Sequence, residues 1–260
     1  MDQTPPTAEA PPPVPHSSTT SLPSRMLNVF ASPGEVFEEV KRTPNAAVNW
    51  LVPAIIAGVI GVVATLLIFS QPTIQRQVRE GQEREMEKRV KAGEMTQQQA
   101  DQASAMMEKV MGPMMMIGGS IGAVVVGFGR VFWWGLMLWL IARWALKVQI
   151  PYLKAVEVAG LSSLIITLGA IVQLLLGVIL GKMIATASPA LFLKEFDLTS
   201  RMHFLLGAVN LFKVWTMVVL GLGLARLTGS SWAKATVLML IYWAVLSLIL
   251  IGIGLGQFAL

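Results

Sequence analysis

The stretch NLFKVWTMVVLGLGLA, Asn210 to Ala225, decides how this chain is read. Apart from Lys213 it is an apolar helix with a glycine-rich end. A bilayer core about 30 Å thick is crossed by roughly 20 apolar residues in helical form. The quoted run lies inside a segment of that length, Phe204–Ala225, and four more lie along the chain: Trp50–Phe69, Met115–Ala142, Gly160–Leu180 and Ala235–Phe258. Only Arg130 interrupts the second of these. Splitting it there would leave two short pieces with no polar turn between them, so it reads as one tilted helix. The expected fold is all-α: a multi-pass membrane helical bundle of about five transmembrane helices, spanning residues 25–258.

Composition points the same way. The 260 residues are 54% hydrophobic and only 13% charged, where soluble domains carry about 25% charged residues. Mean hydropathy is +0.64. From Pro113 onward ten Lys/Arg face three acids, Glu157, Glu195 and Asp197, all expected in loops or at a span edge. That cationic excess lies mostly between apolar runs, which suits lipid headgroups and gives no nucleic-acid surface. Trp133, Trp134, Trp139 and Trp144 climb towards an interface marked by Arg143 and Lys147, an aromatic-belt pattern. With the N-terminus in the cytoplasm, the expected orientation, Arg25, Lys41, Arg42, Arg143, Lys147, Lys154, Arg226 and Lys234 fall inside; Lys182, Lys194 and Arg201 fall outside, as do the seven cations of the polar segment 71–112, which its seven acids match. The first apolar run begins near Trp50, too late for a cleavable signal peptide, so targeting is expected from an internal span.

Two polar segments flank the first span. Met1–Ser24 holds seven prolines among Ser, Thr and Ala and is expected to be a disordered, partly polyproline tail. After it, Ser32, Pro33 and Glu35 have the spacing of a capping box opening a short amphipathic helix that Pro44 ends. Residues 71–112 carry seven Lys/Arg and seven Asp/Glu. Opposite charges sit four apart, as in Arg76/Glu80, Arg79/Glu83, Glu80/Arg84, Glu85/Arg89 and Glu87/Lys91, the pattern of a solvated helix. Gly93 breaks it, and Thr96–Gln99 has capping-box spacing for a second helix. A water-exposed helical hairpin is expected here.

Catalytic chemistry finds little to work with. Cysteine is absent, and the two histidines, His16 and His203, have no neighbouring ligand set. No metal site, cofactor site or nucleophile–base pair is legible, so no enzymatic activity is expected. The ionisable groups expected inside the membrane are Arg130 and Lys213. Each either snorkels or meets an anionic lipid, a partner's carboxylate or a solute. Gln173 and Asn210 are further polar groups within spans, and Asn210, three before Lys213, shares its helix face. Gly118/Gly122, Gly177/Gly181 and Gly252/Gly256 have the small-xxx-small spacing of membrane helix packing, which also leaves self-association open.

The region FDLTSRMHFLLGAVNLFKVWTMVVLGLGLARLTGSSWAKATVLMLIYW resembles the C-terminal half of the Yip domain family, the Ypt-interacting proteins. The shared elements are Phe212, Trp215, Leu220, Gly223, Leu224, Ala225 and the Lys234–Ala235 pair. SPGEVFEEVKRTP and ARWALKVQIPYLKAVEVAGLSSL are similar to the family's entry motif and its second-to-third span connection, so the resemblance covers about residues 30–258. Lys147–Pro151 departs from it, since the family usually has a Gly-rich turn there. The resemblance implies a five-pass membrane protein with a cytoplasmic N-terminus. Eukaryotic members bind prenylated Rab/Ypt GTPases; bacterial members, which the tail and hairpin resemble, have no activity to carry over. A non-enzymatic scaffold or adaptor of a bacterial cytoplasmic membrane is therefore expected, its partners being lipid and an unidentified protein. The alternative is a transporter or channel subunit for an anionic solute, using Arg130 and Lys213.

Overall fold

Serine and proline set where the first helices begin. In the computed structural model, which describes residues 20–182, 184–194, 196, 197 and 200–259, Ser21 caps helix α1, Leu22–Ala31, by accepting from the Ser24 backbone N–H. The disorder expected of the tail over residues 1–19 lies outside the described residues. Leu22–Ser24, expected to belong to that tail, instead open α1. Pro23 stands in the first turn, where its missing N–H costs nothing. Helix α2, Pro33–Arg42, starts where the sequence indicates, but the Ser32 side chain makes no capping bond, so the expected capping box is not formed. Both helices are amphipathic. Val29, Val36, Phe37 and Val40 are buried, while Leu27 is 71% exposed.

Among the described residues, five helices are long and apolar enough to cross a membrane. They are α3 (Val48–Phe69), the Pro113–Trp144 part of α5 (Gln97–Trp144), α6 (Tyr152–Leu180), α8 (Leu211–Thr228) and α9 (Trp232–Gly252). Arg130 does not interrupt α5, which runs unbroken for 48 residues, about 72 Å at 1.5 Å per residue. Among the described residues there is no strand, and the bundle is all-α. Helix α6 is its axis. It packs against α3, α5 and α8, while α8 pairs with α9 and carries α2 on its outer side.

The fourth apolar run differs from its expected form. It is not one helix over 204–225 but two, α7 (Arg201–Ala208) and α8, with Val209 and Asn210 between them. Asn210 leaves helical geometry (φ −94°, ψ 131°) and turns its side chain back to accept from the Phe212 and Lys213 N–H groups, at 2.9 and 3.4 Å. An asparagine amide satisfies the orphan donors of a new helix better than it satisfies the interior of a continuing one. So the polar residue inside the run is a helix start.

Glycine decides how close the spans come, though not the expected pairs. A Cβ at Gly118, Gly122 or Gly252 would meet nothing within 4 Å. Gly177 faces the carbonyl of Lys182 in its own terminal turn, Gly181 takes φ 61° as the C-cap of α6, and Gly256 lies on the Phe204 ring. The close crossings are elsewhere. Gly160 of α6 lies against the Trp50 backbone of α3, Gly223 of α8 against Val158 of α6 and Phe37 of α2, Gly135 of α5 against Val156, and Gly169 against Phe212. Spacing identifies small residues; only the assembled bundle says which of them face a neighbour.

Residues 70–112 form α4 (Pro72–Lys91) and the first turns of α5, joined at Gly93 with φ 74°. Thr96 and Gln99 close a full capping box. Of the expected charge pairs, Glu87 and Lys91 meet at 2.7 Å, and the neighbouring ammonium holds the Glu87 carboxyl below the usual carboxylate range. Arg84 instead donates to the Glu80 carbonyl. Because Gly119 of α5 faces Thr65 and Phe69 at the end of α3, the part of α5 before it projects beyond α3.

Adding one methyl group separates the two classes of glycine. Gly160→Ala should destabilise the detergent-solubilised protein by about 1–3 kcal/mol, since backbone stands where the methyl would go. Gly118→Ala should be neutral or stabilise by up to about 1 kcal/mol. Thermal unfolding of both variants in the same detergent checks this.

Candidate functional site: a buried polar latch and two membrane cations

Helix α6 begins earlier than its apolar run. Pro151 precedes its first turn and Tyr152, Leu153 and Lys154 are already helical, so Glu157 stands in the second turn. It stands at the edge of the span, one of the two places expected for it, but its side chain is only 1% exposed and points into the bundle. A buried carboxylate is tolerable only when fully paired. Lys154, three residues back on the same face, comes within 2.9 Å of Glu157 Oε1 and also donates to the Pro44 carbonyl at 3.1 Å. The Ala46 backbone N–H donates to Oε1 at 3.2 Å, and the Asn49 amide donates to Oε2 at 2.6 Å.

The network continues outward. Asn49 Oδ1 accepts from Arg25 at 3.0 Å, Arg25 pairs with Glu39 at 3.3 Å, and Glu39 accepts from the Thr20 N–H at 2.7 Å. Six segments meet in it: the end of the tail, α1, α2, the turn before α3, the first turn of α3 and the start of α6. Neither Asn49 nor Glu157 was singled out by the sequence reading. The signal available was the Lys–Glu spacing directly after a proline, a helix start in front of the apolar run.

The two expected membrane cations lie elsewhere. Arg130 is half-buried and stands over the Trp134 ring, 5.8 Å from its centroid. Lys213 is in the first turn of α8 and donates to the Ala259 carbonyl. Arg130 belongs to α5 and Lys213 to α8, two cations on different spans of one bundle. Asn210 does not join them in a polar patch, because its side chain is spent on the cap. Gln173 is half-buried one turn beyond Gly169, the residue that meets Phe212.

His203 accepts from the Asp197 N–H at 2.9 Å, an ordinary loop contact. Among the described residues no group of three or more His, Cys, Asp or Glu could hold a metal ion. Phe212, Trp215 and Gly223 are packing residues. Trp215 lies edge-on to Phe30 of α1 and stacked on Phe212, with centroids 6.0 and 6.4 Å away.

The chain that builds these five spans matches a known family. The Yip1 domain model covers residues 27–253, most of the chain, and the protein belongs to that family. It is a multi-pass integral membrane protein of the Yip type, and the family is not known for enzymatic activity. No curated protein and no solved structure matches the chain significantly.

Removing one member of the latch strands the others. Glu157→Ala should cost about 3–5 kcal/mol, because Lys154 is left buried without its counter-charge. The double change Lys154→Met with Glu157→Met should recover much of that loss. Thermal unfolding of the single and double variants, run as a double-mutant cycle, measures the coupling.

Proposed function

We propose that this protein is a non-enzymatic membrane scaffold or adaptor that displays soluble segments at fixed positions on a rigid helical platform. The bilayer is bacterial and cytoplasmic, with the N-terminus in the cytoplasm. The observation that carries the reading is the latch. It ties Thr20, where the proline-rich tail ends, through Glu39, Arg25 and Asn49 to a carboxylate inside the bundle. Hydrogen-bonded burial of this kind turns α1 and α2 from loose amphipathic helices into an extension of the membrane domain. The tail then leaves from a defined point, and the charged hairpin projects from the opposite end. Proteins that hold partners need such fixed points more than they need a reactive group.

A second reading rests on Arg130 and Lys213. Two cations inside one membrane domain would suit an anionic solute. Against it, the Lys213 ammonium is already engaged by the Ala259 carbonyl. Because the chain has no native cysteine, single cysteines at Asn210, Lys213 and Thr216 separate the two readings. In sealed vesicles, an impermeant thiol reagent should leave position 213 unlabelled from both sides. Labelling at 213 that an added anion blocks would overturn the scaffold reading in favour of a transport cleft.

A further inference from the structure

The end of the bundle that carries α1 and α2 also gathers the turns α5–α6 and α8–α9. That α8 ends there follows from Gly34 of α2 meeting the Arg226 side chain and Gly223 meeting Val158. Helices α5 and α9 run antiparallel along one edge, linked where Trp133 donates to the Tyr242 hydroxyl at 2.6 Å. Ten residues on from Trp133 and ten back from Tyr242 place Arg143 and Trp144 level with Trp232 and Lys234.

These residues share three properties. Trp144 and Trp232 are 71% and 55% exposed, at the height where indole rings favour the membrane–water boundary. Arg143, Lys147 and Lys234 are exposed and form no ion pair among the described residues. Arg143 packs over Trp139 at 5.3 Å from the ring centroid, which leaves its N–H donors free. The sequence holds no acid between Lys109 and Val156, and none after Asp197. At this end of the bundle Glu38 is taken by Arg42 and Glu39 by Arg25, and Glu35 shares a cleft with Arg226. The charge on the α5–α9 edge is therefore uncompensated.

Lys147 stands in the turn that ends α5. It is the one non-glycine residue with positive φ, 57°, among those described. Glycine would take that conformation freely, whereas a lysine is strained there. That conformation closes the C-terminus of α5, where the Val148 N–H donates to the Ala142 carbonyl at 2.9 Å, and it leaves Lys147 exposed beside Trp144. At the neighbouring turn, Ser231 caps α9 by accepting from the Lys234 N–H, so the amino-terminal end of that helix dipole faces the same surface.

We propose that the α5–α9 edge at this end is a binding site for anionic phospholipid, with Arg143, Lys147 and Lys234 holding the headgroup phosphate and Trp144 and Trp232 flanking it. The acyl chains lie along α5 and α9 on either side of the Trp133–Tyr242 contact. Each basic residue near a charged leaflet strengthens attraction several-fold. The site is separate from Arg130 and Lys213, and it does not depend on the scaffold reading.

The test uses the full chain in mixed micelles, with phosphatidylglycerol and phosphatidylcholine of matched acyl chains, read by native mass spectrometry. Wild type should retain phosphatidylglycerol preferentially. The triple change Arg143→Gln, Lys147→Gln and Lys234→Gln should weaken that retention about 100-fold and leave phosphatidylcholine unaffected. Lys147→Gly removes the charge while relieving the backbone. It should melt at an equal or higher temperature without lipid yet bind phosphatidylglycerol about fivefold more weakly, a combination that misfolding cannot produce. Equal retention of the two lipids by wild type, or undiminished phosphatidylglycerol retention by the triple variant, overturns the proposal. Displacement of the lipid by millimolar inorganic phosphate also overturns it, by assigning the site to a free anion.

Discussion

One buried carboxylate organises the end of the bundle where the chain enters it. A charge taken out of water costs several kcal/mol unless it is paired and hydrogen-bonded, and Glu157 meets that condition only when three separate parts of the chain arrive together. Lys154 comes from its own helix, Ala46 from the turn before α3, and Asn49 from the first turn of α3. Asn49 can face Glu157 in this way while its oxygen takes Arg25, and Arg25 in turn holds Glu39. The positions of α1, α2, α3 and α6 are thus linked through one oxygen pair. Apolar packing alone would let amphipathic helices such as α1 and α2 slide on the surface of the spans; directional bonds to a buried charge remove that freedom.

The latch needs the helices to be close, and the close approaches come from glycine at crossings that converge on α6. Gly160 lets the Trp50 end of α3 press against α6 one turn beyond Glu157. Gly223 seats α8 between Val158 and Phe37, so α2 is held from below by the same contact that joins α6 to α8. Polar network and small-residue packing are therefore one design. In lipid, where hydrophobic burial gives little preference between helix and acyl chain, close backbone contact and hydrogen bonding have to supply the association.

Family membership takes on a physical meaning here. Phe212 rests on Gly169, Trp215 packs between Phe212 and Phe30, and Gly223 lies at the junction of α2, α6 and α8. The residues by which the Yip resemblance is recognised hold the N-terminal helices and the fourth span to the bundle axis. They specify a shape, which is consistent with a family recognised by hydrophobic and small residues more than by any reactive group. The two ends of the molecule then differ in kind: one is locked by the latch, the other extends as a charged hairpin on a helix that outruns its neighbour.

Much of this was determined by the sequence alone. Apolar runs of bilayer length and the scarcity of charge specify an all-α, multi-pass membrane protein, because lipid admits a spanning segment only when its backbone satisfies itself. The capping box at Thr96 and the turn at Gly93 were equally local and equally legible. Tertiary structure decided the rest, wherever a residue's role depends on what it meets. Asn210 was a polar group inside an apolar run until the break between α7 and α8 made it a cap. Gly118 and Gly160 look alike in sequence, yet one faces open space and the other a backbone. Glu157 lay just outside an apolar run and read as an acid of a loop or a span edge, with nothing to mark it as buried. Its burial follows from Asn49 and Ala46 reaching it across more than a hundred residues of chain to join Lys154 from its own helix, and no local pattern carries a contact of that range.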